Sequence, residues 1–535
     1  MAMTETRPEA ATHSSGADQS ASPRTQPTPV EQVLGSGDHK IIGRVLIGAS
    51  LVFVASSLLV ASLVNLHAAS GNDLLEATVA NRFGINSPIA LLLCGALPLV
   101  LGLAFYLVPL QLGSPALAFP RAAALSLWGW LFGAVMFTVA LLAKGSYGGS
   151  SLKMSLLGHV SVGLLIVSLL VGVVSVMTTV VSHRPAGMTI SRVPFFSFSM
   201  LVTGAVWLAT LPVVLASITV WQIRHPGVGD LELSAFPAIE WVFHQPAIYI
   251  AAIPLLGIIL DVAGAVSGQR QRLYTTSQGL IIAFGALSFG PWAQSFESRE
   301  TLLWVASAVI IALPALAALG GAVETLRRGK LVVTGGLVLS VSAILVLLLA
   351  TVAGALQGLS TVGSGQGFDL VQGAFGSSGS EGVGPGVATG QFYLVIAAVV
   401  IGALGAVFHW GSRLVPVGLP KGAGLGLAPL ALVGGLAFGL GHVIVGVALP
   451  DESGVEALLS VTGIGGIILA VTAYAAFAVF VAGAAGKGAP VDNDAAPEST
   501  GGTLEWATQL ADVSTVESEY PVQDLRDSTS TEGAN

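Results

Sequence analysis

An all-α protein that crosses a membrane many times is the fold class this sequence predicts. Composition is the first sign: only 9% of the 535 residues are charged, 53% are hydrophobic and 67 are glycine. A soluble globule needs a far more polar surface. The second sign is hydropathy. Twelve apolar segments of roughly spanning length follow one another, and about 20 residues suffice to cross the hydrocarbon core as a helix. They begin near Ile41, Pro88, Ala123, Leu156, Phe195, Trp241, Ser277, Leu302, Leu331, Ala388, Leu425 and Val455, the seventh being the shortest. The third sign is the distribution of basic residues. With the amino end inside, the inner loops hold Lys40, Arg44, Arg121, Arg184, Arg192, Arg270, Arg272, Arg327, Arg328, Lys330, Arg413, Lys421 and Lys487. The outer loops hold only Arg82, Lys144, Lys153, Arg224 and Arg299. Basic residues gather on the cytoplasmic side of a bilayer, so both termini are expected in the cytoplasm, with the chain in the plasma membrane.

The flanks differ from the spans. Residues 1–37 are rich in Ser, Thr, Pro and Ala, too polar to fold alone, and lack the apolar core of a signal peptide. Residues 38–486 form the expected membrane domain, interrupted at Gln357 to Thr389 by a Gly/Ser-rich stretch that reads as a flexible outer loop. Residues 487–535 carry ten acidic and two basic residues and are expected to be disordered, held off the anionic leaflet by their charge. The lone Cys94 lies inside the second span and is expected to pack as a small apolar residue. A net charge of −8 without a basic run offers nothing to nucleic acid, so the expected partners are lipid and other membrane subunits.

Several polar motifs punctuate the apolar chain. Asp38-His39-Lys40-Ile41-Ile42-Gly43 enters the first span. Phe105-Tyr106-Leu107-Val108-Pro109-Leu110-Gln111-Leu112-Gly113 closes the second, with Ala118-Phe119-Pro120-Arg121 just after. Arg184 to Phe195 links the fourth and fifth spans as RPAGMTISRVPF. The sixth, Trp241 to Asp261, reads as one apolar helix with His244, Gln245, Pro246 and Tyr249 near its start. His409-Trp410 ends the tenth.

In this order the motifs resemble subunit I of the haem-copper oxidases, over roughly residues 38–485. The resemblance implies that family's twelve-helix arrangement. It also implies where six metal-binding histidines should stand, and here none of the six positions is histidine. The haem-ligand positions hold Asn86, Gly390 and Phe392; the copper-ligand positions hold Gln245, Gln294 and Ser295. The family's proton-relay glutamate is Ala247, its channel-mouth asparagines are Ala123 and Ala124, its lysine is Ala318, and its arginine pair is Asp451-Glu452. Tyr249 is retained. Haem needs axial ligands from helices on either side of the ring, and such a copper centre needs converging imidazoles. No haem, copper or catalytic residue is therefore expected. His159, His244, His409 and His442 are expected as packing residues. An ionisable group within a span is costly and usually functional, and these spans contain almost none.

The expected function is that of a metal-free, non-catalytic homologue serving as a structural or regulatory subunit of a membrane complex. A transporter or sensor using the vacated cavity, and a haem- and copper-dependent oxidase or nitric-oxide-reductase-like enzyme with other ligands, are the alternatives. Gln245, Tyr249, Gln294 and Ser295 form the expected polar core. Gln245 and Tyr249, four residues apart on a helix, would share one face and meet Gln294 from the next span.

Overall fold

The computed structural model describes residues 37–71, 74–224, 236–244, 247–289, 301–363, 386–415, 418–448, 452–486 and 503–506. Lipid offers no hydrogen bonds, so an apolar span must pair its own backbone, and helices do so. Among the described residues all regular structure is helical. α1 (His39–Ala69) starts where Asp38 Oδ1 accepts the Lys40 N–H at 2.8 Å, capping a donor that the helix cannot pair. The second span consists of α2 (Ala77–Ile89), a π-helical stretch (Ala90–Ala96) and α3 (Leu97–Leu112). Pro88 brings no N–H to the carbonyl of Gly84, and Ser87 Oγ donates there instead, at 3.1 Å. Trp130 Nε1 donates to Leu93 O within the π-helical stretch, at 3.0 Å.

α4 (Pro120–Leu142), α5 (Leu152–Ser182) and α6 (Phe195–Arg224) are long helices. The sixth span departs from expectation. It is not one helix from Trp241: single 3₁₀ turns at Glu240–Phe243 and Ala247–Ala251 precede α7 (Ile253–Ser267). Pro254 explains the break. In the first turn of α7 its missing N–H costs nothing, but a helix continuing upstream would leave the carbonyl of Ile250 without its donor. Trp207 Nε1 of α6 takes that carbonyl at 3.1 Å.

In the seventh span the described residues form α8 (Tyr274–Phe289). It is followed by α9 (Thr301–Ile310) and α10 (Ala312–Arg328), then α11 (Gly335–Gly363) and α12 (Gly386–His409). A short α13 (Gly411–Leu414), α14 (Lys421–Ala448) and α15 (Glu452–Ala484) complete the bundle. Ten helices among the described residues are long and apolar enough to cross a membrane. Within the stretch Gln357–Thr389, expected as an outer loop, α11 runs to Gly363 and α12 starts at Gly386, and the residues between lie outside the described ones. The acidic tail also holds an exception to its expected disorder: Leu504–Trp506 forms a 3₁₀ turn with Glu505 buried.

α12 is buried along most of its length, packed between α11 and α14, while α1 packs on α3 and α15. Phe132, Leu142 and Val160 are exposed on α4 and α5, where only lipid can cover them. Neighbouring spans run in alternate directions. One end of the bundle therefore gathers the start of α1, the end of α3, the start of α6, the end of α7 and Trp410; it is called the basic end below, after Lys40, Arg44, Arg270, Arg328 and Arg413.

Candidate functional site

Asn86 sits fully buried on α2, one turn before the π-helical stretch. Its amide Nδ2 donates to Arg82 O and to Tyr147 O, both at 2.7 Å. Its Oδ1 accepts from Ser146 Oγ at 2.6 Å and from Tyr147 N at 3.3 Å. An amide has two donors and two acceptor lone pairs, so all four are used. Asn86 is thus a staple between α2 and the loop that follows α4, where Ser146 is held at φ 64°.

Gly390 and Phe392 lie on α12. A Cβ built at Gly390 would stand 2.6 Å from Val443 N and Val443 Cγ2 and 2.8 Å from Gly439 O. Two of these atoms belong to the α14 backbone, so α12 and α14 are in main-chain contact at this point. Small residues permit such close approach between membrane helices. Phe392 is buried and meets Phe243 edge to face, ring centres 6.0 Å apart. Phe243 stacks on Phe236 at 5.8 Å, and Phe236 meets Tyr147 at 6.4 Å. A file of aromatic rings thus runs from the loop held by Asn86 to Phe392.

These residues do not fit a haem at the matched positions. No imidazole is present, no side chain at residue 390 can be accommodated without moving α14, and Asn86 has no free hydrogen-bonding capacity. Among the described residues no group of three or more His, Cys, Asp or Glu is placed to hold a metal ion.

Of the expected polar core only Tyr249 lies among the described residues. Gln245, Gln294 and Ser295 lie outside the described residues. Tyr249 is fully buried in the 3₁₀ turn before α7, so the α-helical spacing that was to align it with Gln245 does not apply. Its hydroxyl accepts from Gln391 Nε2 of α12 at 2.9 Å and donates to Ala350 O of α11 at 3.1 Å. Gln391, which sequence reasoning passed over, follows directly after Gly390; its place on the tenth span gave no sign of contact with the sixth. A second polar knot lies on the same helix: His442 Nε2 is 2.6 Å from Asn65 Oδ1, and Asn65 Nδ2 donates to Tyr393 Oη at 3.4 Å. His159 contacts Gln222 at 3.2 Å and Tyr147 edge to face. His244 contacts Glu240 at 3.3 Å, and that hydrogen bond holds the Glu240 carboxyl below its ordinary range.

The class these observations define is a multi-pass helical membrane bundle whose polar side chains tie spans together. Comparison with known sequences then places the chain. The family model for Cytochrome C and Quinol oxidase polypeptide I matches residues 41–364, more than half of the chain, and the chain belongs to that family. A probable cytochrome c oxidase subunit 1-beta from Nocardia farcinica is 29% identical over 369 residues, 62% of each chain. A putative cytochrome c oxidase subunit 1-beta from Streptomyces coelicolor is 30% identical over 55% of this chain and 56% of its own. A quinol oxidase subunit 1 from Bacillus spizizenii is 28% identical over 42% and 38%. Each match therefore spans less than two thirds of the relative's length.

Proposed function

We propose that this protein is a metal-free, non-catalytic member of its family, acting as a structural or regulatory subunit of a membrane complex. The observation that carries the proposal is the main-chain contact at Gly390. A haem at the matched positions needs axial side chains long enough to reach its iron. At residue 390 the α14 backbone leaves no room for such a side chain, and Asn86 spends three of its four hydrogen bonds on a neighbouring loop and the fourth on Arg82 O. Gln245, Gln294 and Ser295 replace imidazoles at the copper positions, and a pair of glutamines with a serine makes a weak copper site.

The relatives are named as subunits of oxidases, which supports membrane subunits as partners. The basic residues support cytoplasmic termini in a plasma membrane. The test is the purified protein. Pyridine haemochrome analysis and copper determination are expected to give well below one equivalent per chain, with other membrane subunits copurifying. About one haem per chain, with a Soret band, overturns the proposal.

A further inference from the structure

The short turn at Leu504–Trp506 returns from the acidic tail to the basic end of the bundle, with Glu505 buried there and Leu504 and Trp506 half-buried. Glu505 is 2% exposed. Its Oε1 accepts from Gln111 Nε2 at 3.2 Å and from Trp410 Nε1 at 3.3 Å. Trp506 meets His409 edge to face at 5.5 Å, and the Arg413 guanidinium lies over its ring at 5.7 Å. On the other side, Leu504 fills the space beside Gly113, its Cδ1 lying 3.1 Å from where a Cβ would stand. Three consecutive side chains thus each have a seat.

The seat of Glu505 contains a second carboxylate. Gln111 Nε2 also donates to Asp261 Oδ2 at 3.1 Å. The Gln111 amide cannot turn round, because its Oε1 accepts from Ser197 N at 3.2 Å and Ser197 Oγ at 2.6 Å. One amide nitrogen therefore bridges two buried acids. Asp261 also accepts from Phe195 N at 3.1 Å and Phe196 N at 2.8 Å, at the start of α6, where the helix dipole favours a negative charge. Glu505 Oε2, by contrast, is buried with no partner. Two adjacent buried carboxylates do not both ionise, so the Asp261–Glu505 pair holds a proton between them while the segment is seated.

We propose that Leu504–Trp506 is a removable plug, the chain's own C-terminal segment filling a socket at the basic end and leaving it when the Asp261–Glu505 pair gives up its proton. The groups facing the socket are Asp261 from α7, His409 from α12 and Arg413 from α13. α3 supplies Gln111, and α6 supplies only backbone N–H groups and Ser197. Behind them Tyr106 donates to the Arg413 carbonyl, with Arg44 over its ring. Arg413 faces the indole, so no cation in this set pairs with Glu505. Burial pushes the Glu505 carboxyl above its ordinary range, chiefly by desolvation. In the free tail the same group is in water. A group whose seated value is raised binds best below its free value and loosens as pH rises through the seated one. The plug is independent of whether the bundle carries a cofactor.

The experiment uses the full chain in detergent with Cys94→Ala and Leu504→Cys, and follows alkylation of the new thiol by a water-soluble maleimide. At each pH the rate is divided into that of the same chain with Trp506→Ala added, which cancels thiol ionisation. Protection of about tenfold or more near pH 6 is expected to fall towards unity near pH 9, while Glu505→Gln stays protected throughout. A glutamate-specific protease acting on the unsubstituted chain, scored against the denatured chain, reads the Glu505–Trp506 bond without the reporter thiol and is expected to follow the same trend. Absence of protection at every pH by both readouts overturns the plug. Equal protection at both ends of the range, or lost protection in Glu505→Gln near pH 6, overturns the proton gate.

Discussion

Gly390→Ala should loosen the bundle, and the size of the effect can be worked from the contact. The added Cβ would stand 2.6 Å from Val443 N and 2.8 Å from Gly439 O, both backbone atoms of a helix that cannot yield locally. Overpacking a well-packed interior costs about 1–3 kcal/mol, and a clash with main chain belongs in the upper half of that range. Replacing glycine by alanine in a helix returns about 1 kcal/mol through propensity. The control is Gly426→Ala on α14, where a Cβ would meet nothing within 4 Å. It receives the propensity gain without the clash, so the two variants should differ by about 2–3 kcal/mol. The measurement is reversible unfolding in mixed micelles, followed by circular dichroism. A difference below about 0.5 kcal/mol would refute the close contact between α12 and α14, and with it the argument that residue 390 has no room for a ligand side chain.

Other variants probe the remaining ties by the same unfolding assay. Asn86→Leu strips three hydrogen bonds from the Ser146–Tyr147 loop and should cost about 2–4 kcal/mol; a cost below about 1 kcal/mol would mean the loop is held elsewhere. Tyr249→Phe removes the hydroxyl that joins Gln391 to Ala350 and should cost about 1–2 kcal/mol, with Gln391→Leu in the same range and the double variant less than their sum. Trp207→Phe keeps a smaller aromatic ring but leaves the Ile250 carbonyl without its donor, and should cost about 1–3 kcal/mol; an unchanged midpoint would show that water reaches that carbonyl.

The spans were legible because a long apolar run has one solution in lipid, and the order of motifs then identified the family. The break in the sixth span was legible too. Pro254 stands in the sequence, and its need for a helix start nearby outweighs the apolar continuity that suggested one helix from Trp241. Gln391 was not legible, since nothing local tells a glutamine on one span which tyrosine on another it will meet. The Asn86 staple was half visible: the residue was singled out, but for the ligand it had replaced, while its partners Ser146 and Tyr147 come from a loop without a motif. Leu504–Trp506 carried a signal that composition averaged away. Trp506 is one of only two aromatic residues after Lys487, and a half-buried indole can repay ordering a few residues of a polar tail.

The π-helical stretch Ala90–Ala96 has a consequence for the direction in which Asn86 points. A π turn holds one residue more than an α turn, so the helix before it is out of phase with the helix after it by the arc of one residue, about 100°. Deleting one residue between Ala90 and Ala96 would let the second span run as unbroken α-helix. It would also swing the whole of α2 by that arc relative to α3, carrying the Asn86 amide off the loop at Ser146 and Tyr147. The extra residue acts as an angular spacer. Residue identity decides what stands at position 86, and residue count, a few positions later, decides what it sees.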